Sequence, residues 1–234
     1  MLLGVSYRFT DLTSLFIIHN WINACGRSLK AFLLFILLLI IIPGYLPADV
    51  GDTTRVSVAS SGAEANNESL NSDISEDGRF VSFESLASNL VANDNNATND
   101  IFVHDRQTGQ TQRVSVDSAG VESNGYSTFA AISDDGRYVA FDSAATNLVA
   151  NDTNSTRDIF VHDRSTGETT RVSIDSAGNE GDSLSITPAI SATGRYVAFT
   201  SYASNLIAGD TNGLVDIFVH DRDTGETSRV SVAS

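Results

Sequence analysis

The chain has 234 residues, 41% hydrophobic and 18% charged, which is apolar enough for a packed core and excludes a disordered chain. Its formal net charge is −15, and every basic residue beyond Lys30 is one of eleven arginines, so phosphate backbones are repelled and nucleic acid is excluded as a partner. Divalent cations and basic surfaces suit such a chain better, and the single Cys25 excludes an internal disulfide or a cysteine-built zinc or redox site.

Residues 1–48 read as a signal peptide or an N-terminal membrane anchor with an extended n-region. Arg27 and Lys30 precede "AFLLFILLLIII" at 31–42, and "PGYLPADV" follows, with small-residue cleavage expected after Ala48. Twelve apolar residues are few for a membrane helix, which needs roughly 20. If uncleaved, residues 31–46 would be the only membrane contact. Asn23 fits a lipobox poorly, which argues against lipidation at Cys25.

From residue 49 onward the chain is a repeat. Arg55, Arg113, Arg171 and Arg229 of "RVS" recur every 58 residues, as do Gly78, Gly136 and Gly194, and His104, His162 and His220. Such spacing without insertion or deletion predicts one supersecondary unit repeated in space. Within the middle unit, strands are predicted at about 129–133, 137–143, 158–163 and 169–175, because "RYVAFDS", "DIFVHD" and "TTRVSID" are short and β-branched. "SDDGR" and "DRSTGET" predict tight hairpins, with Gly136 and Gly167 supplying the positive φ.

Four short antiparallel strands per unit predict an all-β fold, a β-propeller of four-stranded blades. The blades are expected at about 70–117, 128–175 and 186–233, with an orphan strand at 53–59. Three complete 58-residue repeats plus one extra N-terminal strand do not close a ring, which points to an incomplete ring or fragment, or to a homodimer completing a six-blade ring.

The segments "ISDDGRYVAFDSAATNLVANDTN" and "DIFVHDRSTGETTRVS", each recurring in order three times, resemble the TolB-like, WD-repeat-like β-propeller repeats. The resemblance covers residues 53 to 234 and implies a propeller and an exported protein. It does not extend to the α/β domain that precedes the propeller in TolB itself. A fold is therefore implied rather than TolB's role in the envelope.

The candidate site is the loop pattern Asp-x-Asn-x-x-x-Asp: Asp94, Asn96 and Asp100; Asp152, Asn154 and Asp158; Asp210, Asn212 and Asp216. Three side-chain oxygens per loop could serve calcium, a hard cation that takes oxygen ligands. The competing reading is turn chemistry, since Asp and Asn bond their own backbone. Gly213 in the third loop, against Ala97 and Ser155, makes that loop the preferred ion site if only one binds. The "VHDR" histidines lie one blade apart, with no nucleophile or metal spacing around them, and read as structural. The arginines of "DGR", "HDR" and "RVS" are expected to pair with nearby aspartates, within or between blades. No catalytic constellation is found. The function expected is an exported, non-catalytic, protein-binding or scaffold module, periplasmic, at the cell surface or secreted. The alternative is the propeller of a larger hydrolase or peptidase whose catalytic domain lies outside this sequence.

Overall fold

A computed structural model describes residues 53–232; the signal or anchor read at residues 1–48 lies outside the described residues. Twelve strands follow in chain order. Blade 1 comprises β1 (Ser69–Ile74), β2 (Phe80–Ser85), β3 (Asp100–Asp105) and β4 (Gln110–Arg113). Blade 2 comprises β5 (Ser127–Ile132), β6 (Tyr138–Ser143), β7 (Asp158–Asp163) and β8 (Glu168–Arg171). Blade 3 comprises β9 (Ser185–Ile190), β10 (Tyr196–Ser201), β11 (Asp216–Asp221) and β12 (Glu226–Arg229). Each blade is an antiparallel sheet with its strands in sequence order, and the three sheets form an incomplete β-propeller. Among the described residues no helix is long and apolar enough to cross a membrane.

The middle strands drive the stacking. In β6, Val139 and Phe141 face blade 1, where they join Ile101, Val103 and Val114, while Ala140 faces blade 3 beside Val197 and Phe199. A strand apolar on both faces can be satisfied only between two sheets. Inside each blade a phenylalanine from the second strand packs on one from the third: Phe83 with Phe102 at 5.8 Å, and Phe141 with Phe160 and Phe199 with Phe218 at 6.0 Å between centroids. Leu90, Leu148 and Leu206 of the long loops are buried against the same phenylalanine pairs, as expected of packing residues.

The fourth strands end at their arginine, earlier than the predicted 175. The chain there turns toward the next blade, and a serine side chain takes over the ladder: the Ile159 amide donates to Ser173 Oγ at 3.1 Å. Residues 53–59, expected as an extra strand, contribute one bridge, Val58 with Glu64, and lie along β4, where Thr111 N donates to Ser60 Oγ at 2.9 Å. Residues 116–118 and 174–176 meet β8 and β12 in the same way. This segment therefore covers the outer strand of the blade that follows it.

A second irregularity lies in the first strands. Asn71, Phe129 and Thr187 have φ of 46°, 51° and 52°, within bulges that shift the β1–β2, β5–β6 and β9–β10 registers. Only asparagine tolerates that region readily. At Phe129 the freed amide donates to Glu84 Oε2 of blade 1 at 3.0 Å, so the bulge also ties two blades together.

Successive blades are joined by an aromatic step. Phe80 lies between the guanidinium carbons of Arg79 at 4.6 Å and of Arg164, from blade 2, at 4.5 Å, and its ring covers Gly136. Tyr138 repeats the arrangement with Arg137, Arg222 and Gly194. A Cβ at Gly136 would sit 2.1 Å from Phe80 Cδ2, whereas one at Gly78 would meet nothing nearer than 3.6 Å; both glycines have φ near 70°. In the isolated protomer, Gly78→Ala should therefore cost only the left-handed backbone, about 1 kcal/mol. Gly136→Ala should also unseat a ring clamped by two arginines and cost about 3 kcal/mol or more. Urea midpoints of the two variants check this, and equal losses would contradict the aromatic step.

Candidate functional site

The Asp-x-Asn-x-x-x-Asp loops fold alike. Ala97, Ser155 and Gly213 all take left-handed φ, 54°, 55° and 64°, so Gly213 eases a turn that its counterparts adopt as well. The asparagine is the pivot of the turn. Its Oδ1 accepts the amide two residues on, from Thr98, Thr156 or Leu214, and its Nδ2 donates at 2.9 Å to Asp100, Asp158 or Asp216. The Asx turn of the asparagine is present as expected, whereas the aspartate at the entry to the third strand bonds side-chain donors rather than its own backbone, the following amide going to a serine Oγ instead.

The structure adds a cation that the loop pattern did not reveal. Arg113 Nη1 lies 3.6 Å from Asp94, 3.3 Å from Asp100 and 2.5 Å from Glu122. In blade 2, Arg171 Nη1 pairs with Glu180 and stands 3.7 Å from Asp152 and 3.5 Å from Asp158. In blade 3, Arg229 meets Asp210 at 2.9 Å and Asp216 at 3.1 Å. These are the "RVS" arginines. The glutamates come from the segment between blades and share the 58-residue period with Glu64, a signal in the sequence that could have identified them.

The innermost aspartate accepts four donors in blade 1 and three each in blades 2 and 3. Asp100 accepts Ser115 Oγ at 2.5 Å, Ser123 Oγ at 3.0 Å, Asn96 and Arg113. Burial pushes Asp94, Asp100 and Asp158 above the ordinary carboxylate value, and pushes Asp152 up to about 6. Asp216, hydrogen-bonded by Ser231 and Asn212, is instead held below it. Asp152 differs from the rest: both its carboxylate oxygens are buried without a hydrogen-bond partner. One oxygen each from Asp152, Asp158 and Glu180 lies within 4.8 Å of the others, as do oxygens of Asp94, Asp100 and Glu122. Three convergent carboxylates have the donor chemistry of a calcium site, but a guanidinium already stands among them and would have to move aside.

The other repeated groups are engaged in the same way in every blade. His104, His162 and His220 place Nδ1 2.9 Å from Thr111, Thr169 and Thr227 Oγ1. Each threonine hydroxyl gives its one proton to a backbone carbonyl, of Val58, Val116 or Ile174. The histidine must then donate from Nδ1, which fixes its tautomer. Burial lowers all three histidines below their usual value, His162 to about 4. The "DGR" arginines bind the "HDR" aspartates in two-pronged fashion, Arg137 to Asp163 at 2.9 and 2.6 Å, with equivalent pairs Arg79–Asp105 and Arg195–Asp221. The arginine partner holds each of these carboxyls well below the carboxylate range.

One acid departs from the repeat. Asp142, fully buried on β6, accepts Thr128 Oγ1 at 2.7 Å and Arg157 Nη1 at 2.9 Å. Burial is the main reason its carboxyl rises to about 6, and the charge of Glu84 adds to the rise.

No family model matches the sequence, and no curated protein matches it. Solved structures similar in fold include a TolB-type protein of Agrobacterium tumefaciens, at 16% identity and a TM-score of 0.46, covering 70% of this chain and 46% of that one. The β-propeller domain of the Trilobed protease from Pyrococcus furiosus has 15% identity and a TM-score of 0.45, covering 69% of this chain and 41% of that one. TolB from Acinetobacter baumannii has 15% identity and a TM-score of 0.32, covering 72% of this chain and 44% of that one. The chain spans less than half the length of each.

A carboxyl whose folded pKa lies above its unfolded value favours folding at low pH, and that contribution is lost as pH rises through the folded value. Asp142→Asn should therefore melt above the parent at pH 7.5, by a few degrees on an order-of-magnitude basis. The gap should close as pH falls from about 6 toward the unfolded carboxylate value near 3.8. Paired melts across that window check the sign; a gap that does not vary with pH would refute the assignment.

Proposed function

We propose that the chain is an exported, non-catalytic propeller module that binds protein partners through the acidic rim of its stacked hairpin tips. The observation that carries this reading is an open depression of about 620 Å³ lined by Glu76, Asp77, Asp134, Asp135, Arg137 and Tyr138. The tips are locked in a row by backbone bonds from Glu76 N to Asp134 O and from Asp134 N to Ala192 O, both 3.1 Å. Asp77 and Asp135 are occupied in their own turns. Glu76 and Asp134 are exposed and free to meet a basic segment. Such a rim attracts cationic peptides with an affinity that falls as salt rises. Export is supported by the apolar run at 31–42 after Arg27 and Lys30.

A calcium-stabilised version of the module is a second reading, favoured by the unpartnered oxygens of Asp152. In it, Asp152, Asp158 and Glu180 would hold the ion.

An arginine-rich decapeptide should bind the chain, and the double variant Glu76→Gln with Asp134→Asn should bind about tenfold more weakly, as read by fluorescence anisotropy at low salt. Unchanged affinity would overturn the rim as the binding surface. Residues 1–60 fused to alkaline phosphatase should yield active enzyme if the segment exports its cargo; an inactive, cytoplasmic fusion would refute export. Millimolar calcium should raise the melting temperature and EDTA should reverse the rise if the second reading holds. Identical melts would eliminate it.

A further inference from the structure

The outer side of blade 3 and the exposed first strand of blade 1, whose Val81 and Phe83 are already covered, are the two halves of one interface already made twice inside the chain, and we infer that blade 3 of one copy docks on blade 1 of a second copy. Ile101 and Val114 of blade 1 are fully buried by blade 2, and Ile159 and Val172 of blade 2 are 0% and 2% exposed beneath blade 3. Their counterparts on blade 3, Ile217 and Val230, are 39% and 51% exposed. On the receiving side, Ile132 of blade 2 is 6% exposed while its counterpart on blade 1, Ile74, is 53% exposed.

The polar features of the interface are split between the two ends in the same way. Each internal junction seats an aromatic ring on the next blade's turn glycine, under the next blade's arginine: Phe80 on Gly136 with Arg164, then Tyr138 on Gly194 with Arg222. Tyr196 is the next ring in the series, exposed, with only its own Arg195 beside it. Gly78 and Arg106 are the first receiving pair. Arg106 is exposed, already donates to Gly78 O at 2.7 Å as Arg164 does to Gly136 O, and has no ring beneath it among the described residues. Tyr196 of one copy fits Gly78 and Arg106 of the other.

The backbone repeats this division. Ser127 N donates to Asn99 O at 2.8 Å across the first junction, and Ser185 N to Arg157 O at 2.9 Å across the second. Among the described residues, the Val215 carbonyl and the Ser69 amide hold the corresponding repeat positions at the two ends.

One exchange of partners accompanies docking. Residues 53–58, "TTRVSV", occupy the same repeat position as 227–232, "TSRVSV", so only one of them can run between the docked blades. Thr53 to Arg55 are exposed, and Arg55 pairs with Glu64 at the surface. Arg113 and Arg171 each hold a glutamate from the segment nine residues on, Glu122 and Glu180, whereas Arg229 pairs only with aspartates among the described residues. Glu64 of the second copy stands at the repeat position that would complete the Arg229 cluster. As blade 1 docks, residues 53–57 peel away and Glu64 passes from its own Arg55 to Arg229 of the other copy. Two such contacts related by a twofold axis close a ring of six blades.

The full chain, purified in a density-matched detergent, should sediment as a dimer. Val230→Glu places a charge in the apolar contact and should weaken dimerisation by about tenfold or more. Because Val230 is half exposed, the melting temperature of the isolated protomer should not move. Glu64→Gln should weaken association severalfold and leave the fold intact, since its present ion pair is exposed. Binding of the arginine-rich peptide, read on the same samples, should survive Val230→Glu, which separates this interface from the acidic rim. A wild-type monomer at all concentrations, or a dimer indifferent to both substitutions, overturns the inference.

Discussion

The structure depends on strands that have no polar face. Strands β2, β3, β6 and β7 are buried along nearly their whole length, so each sheet must be covered on both sides. A lone four-stranded sheet of this composition would expose two apolar faces, and stacking is the only arrangement that removes both from water. Each buried aliphatic or aromatic side chain contributes roughly 1.5–3 kcal/mol when taken out of water. That gain is shared across junctions rather than held within blades. β10 and β11 are less buried than their counterparts in blade 2, whereas β2 and β3, which also adjoin one sheet only, are buried, with Ala65 and Val91 packed against their phenylalanines.

Burying both faces forces the polar residues to the ends of the strands, and there the repeat's arginines and aspartates become intelligible. The "DGR" to "HDR" pairs close the tip where the second strand meets the third, and the "RVS" arginines close the opposite end beside the long loops. The threonine hydroxyl between a histidine and the carbonyl of the covering segment fastens the outer strand. An unpaired buried group costs about 1–3 kcal/mol, so a blade carrying one such end unsatisfied would forfeit much of what its apolar core contributes. Among the described residues the exceptions are Asp152, His162 Nε2, Arg164 Nε and Arg171 Nε in the middle blade, Ser82 Oγ and Arg113 Nε in blade 1, and Arg229 Nε in blade 3.

Much of this was legible in the sequence because a period is a strong constraint. The 58-residue spacing placed the blades, the alternation in "RYVAFDS" identified the two faces of β6, and Gly136 and Gly167 marked hairpins that are present. The pairing of arginines with aspartates followed from their recurrence. Other features were not legible, for definite reasons. The bulge in the first strands falls on Asn71, Phe129 and Thr187, and two of the three give no hint of positive φ. The ring of Phe80 finds Arg164 on the adjacent blade, a relation that no local pattern encodes. The full acid cluster was not visible in the loop pattern, because the arginine among the loop acids comes from the fourth strand and the third acid from the segment beyond it.

Perfect repetition also limits where specific function can reside. A group present identically in every blade meets an identical neighbour, so the histidines, the paired arginines and the loop asparagines are spent on holding the repeat together. Chemistry that distinguishes one partner from another must come from positions where the units differ. Glu84, Asp142 and Thr200 are one such set, equivalent by period yet bonded to the Phe129 amide, to Arg157 and to Thr187 respectively. Glu76, Asp134 and Ala192 are another, running from acidic to neutral along the row of tips. The gradient makes the blade 1 to blade 2 end of that row the more anionic, and under the proposed function it would orient a basic segment laid along the tips.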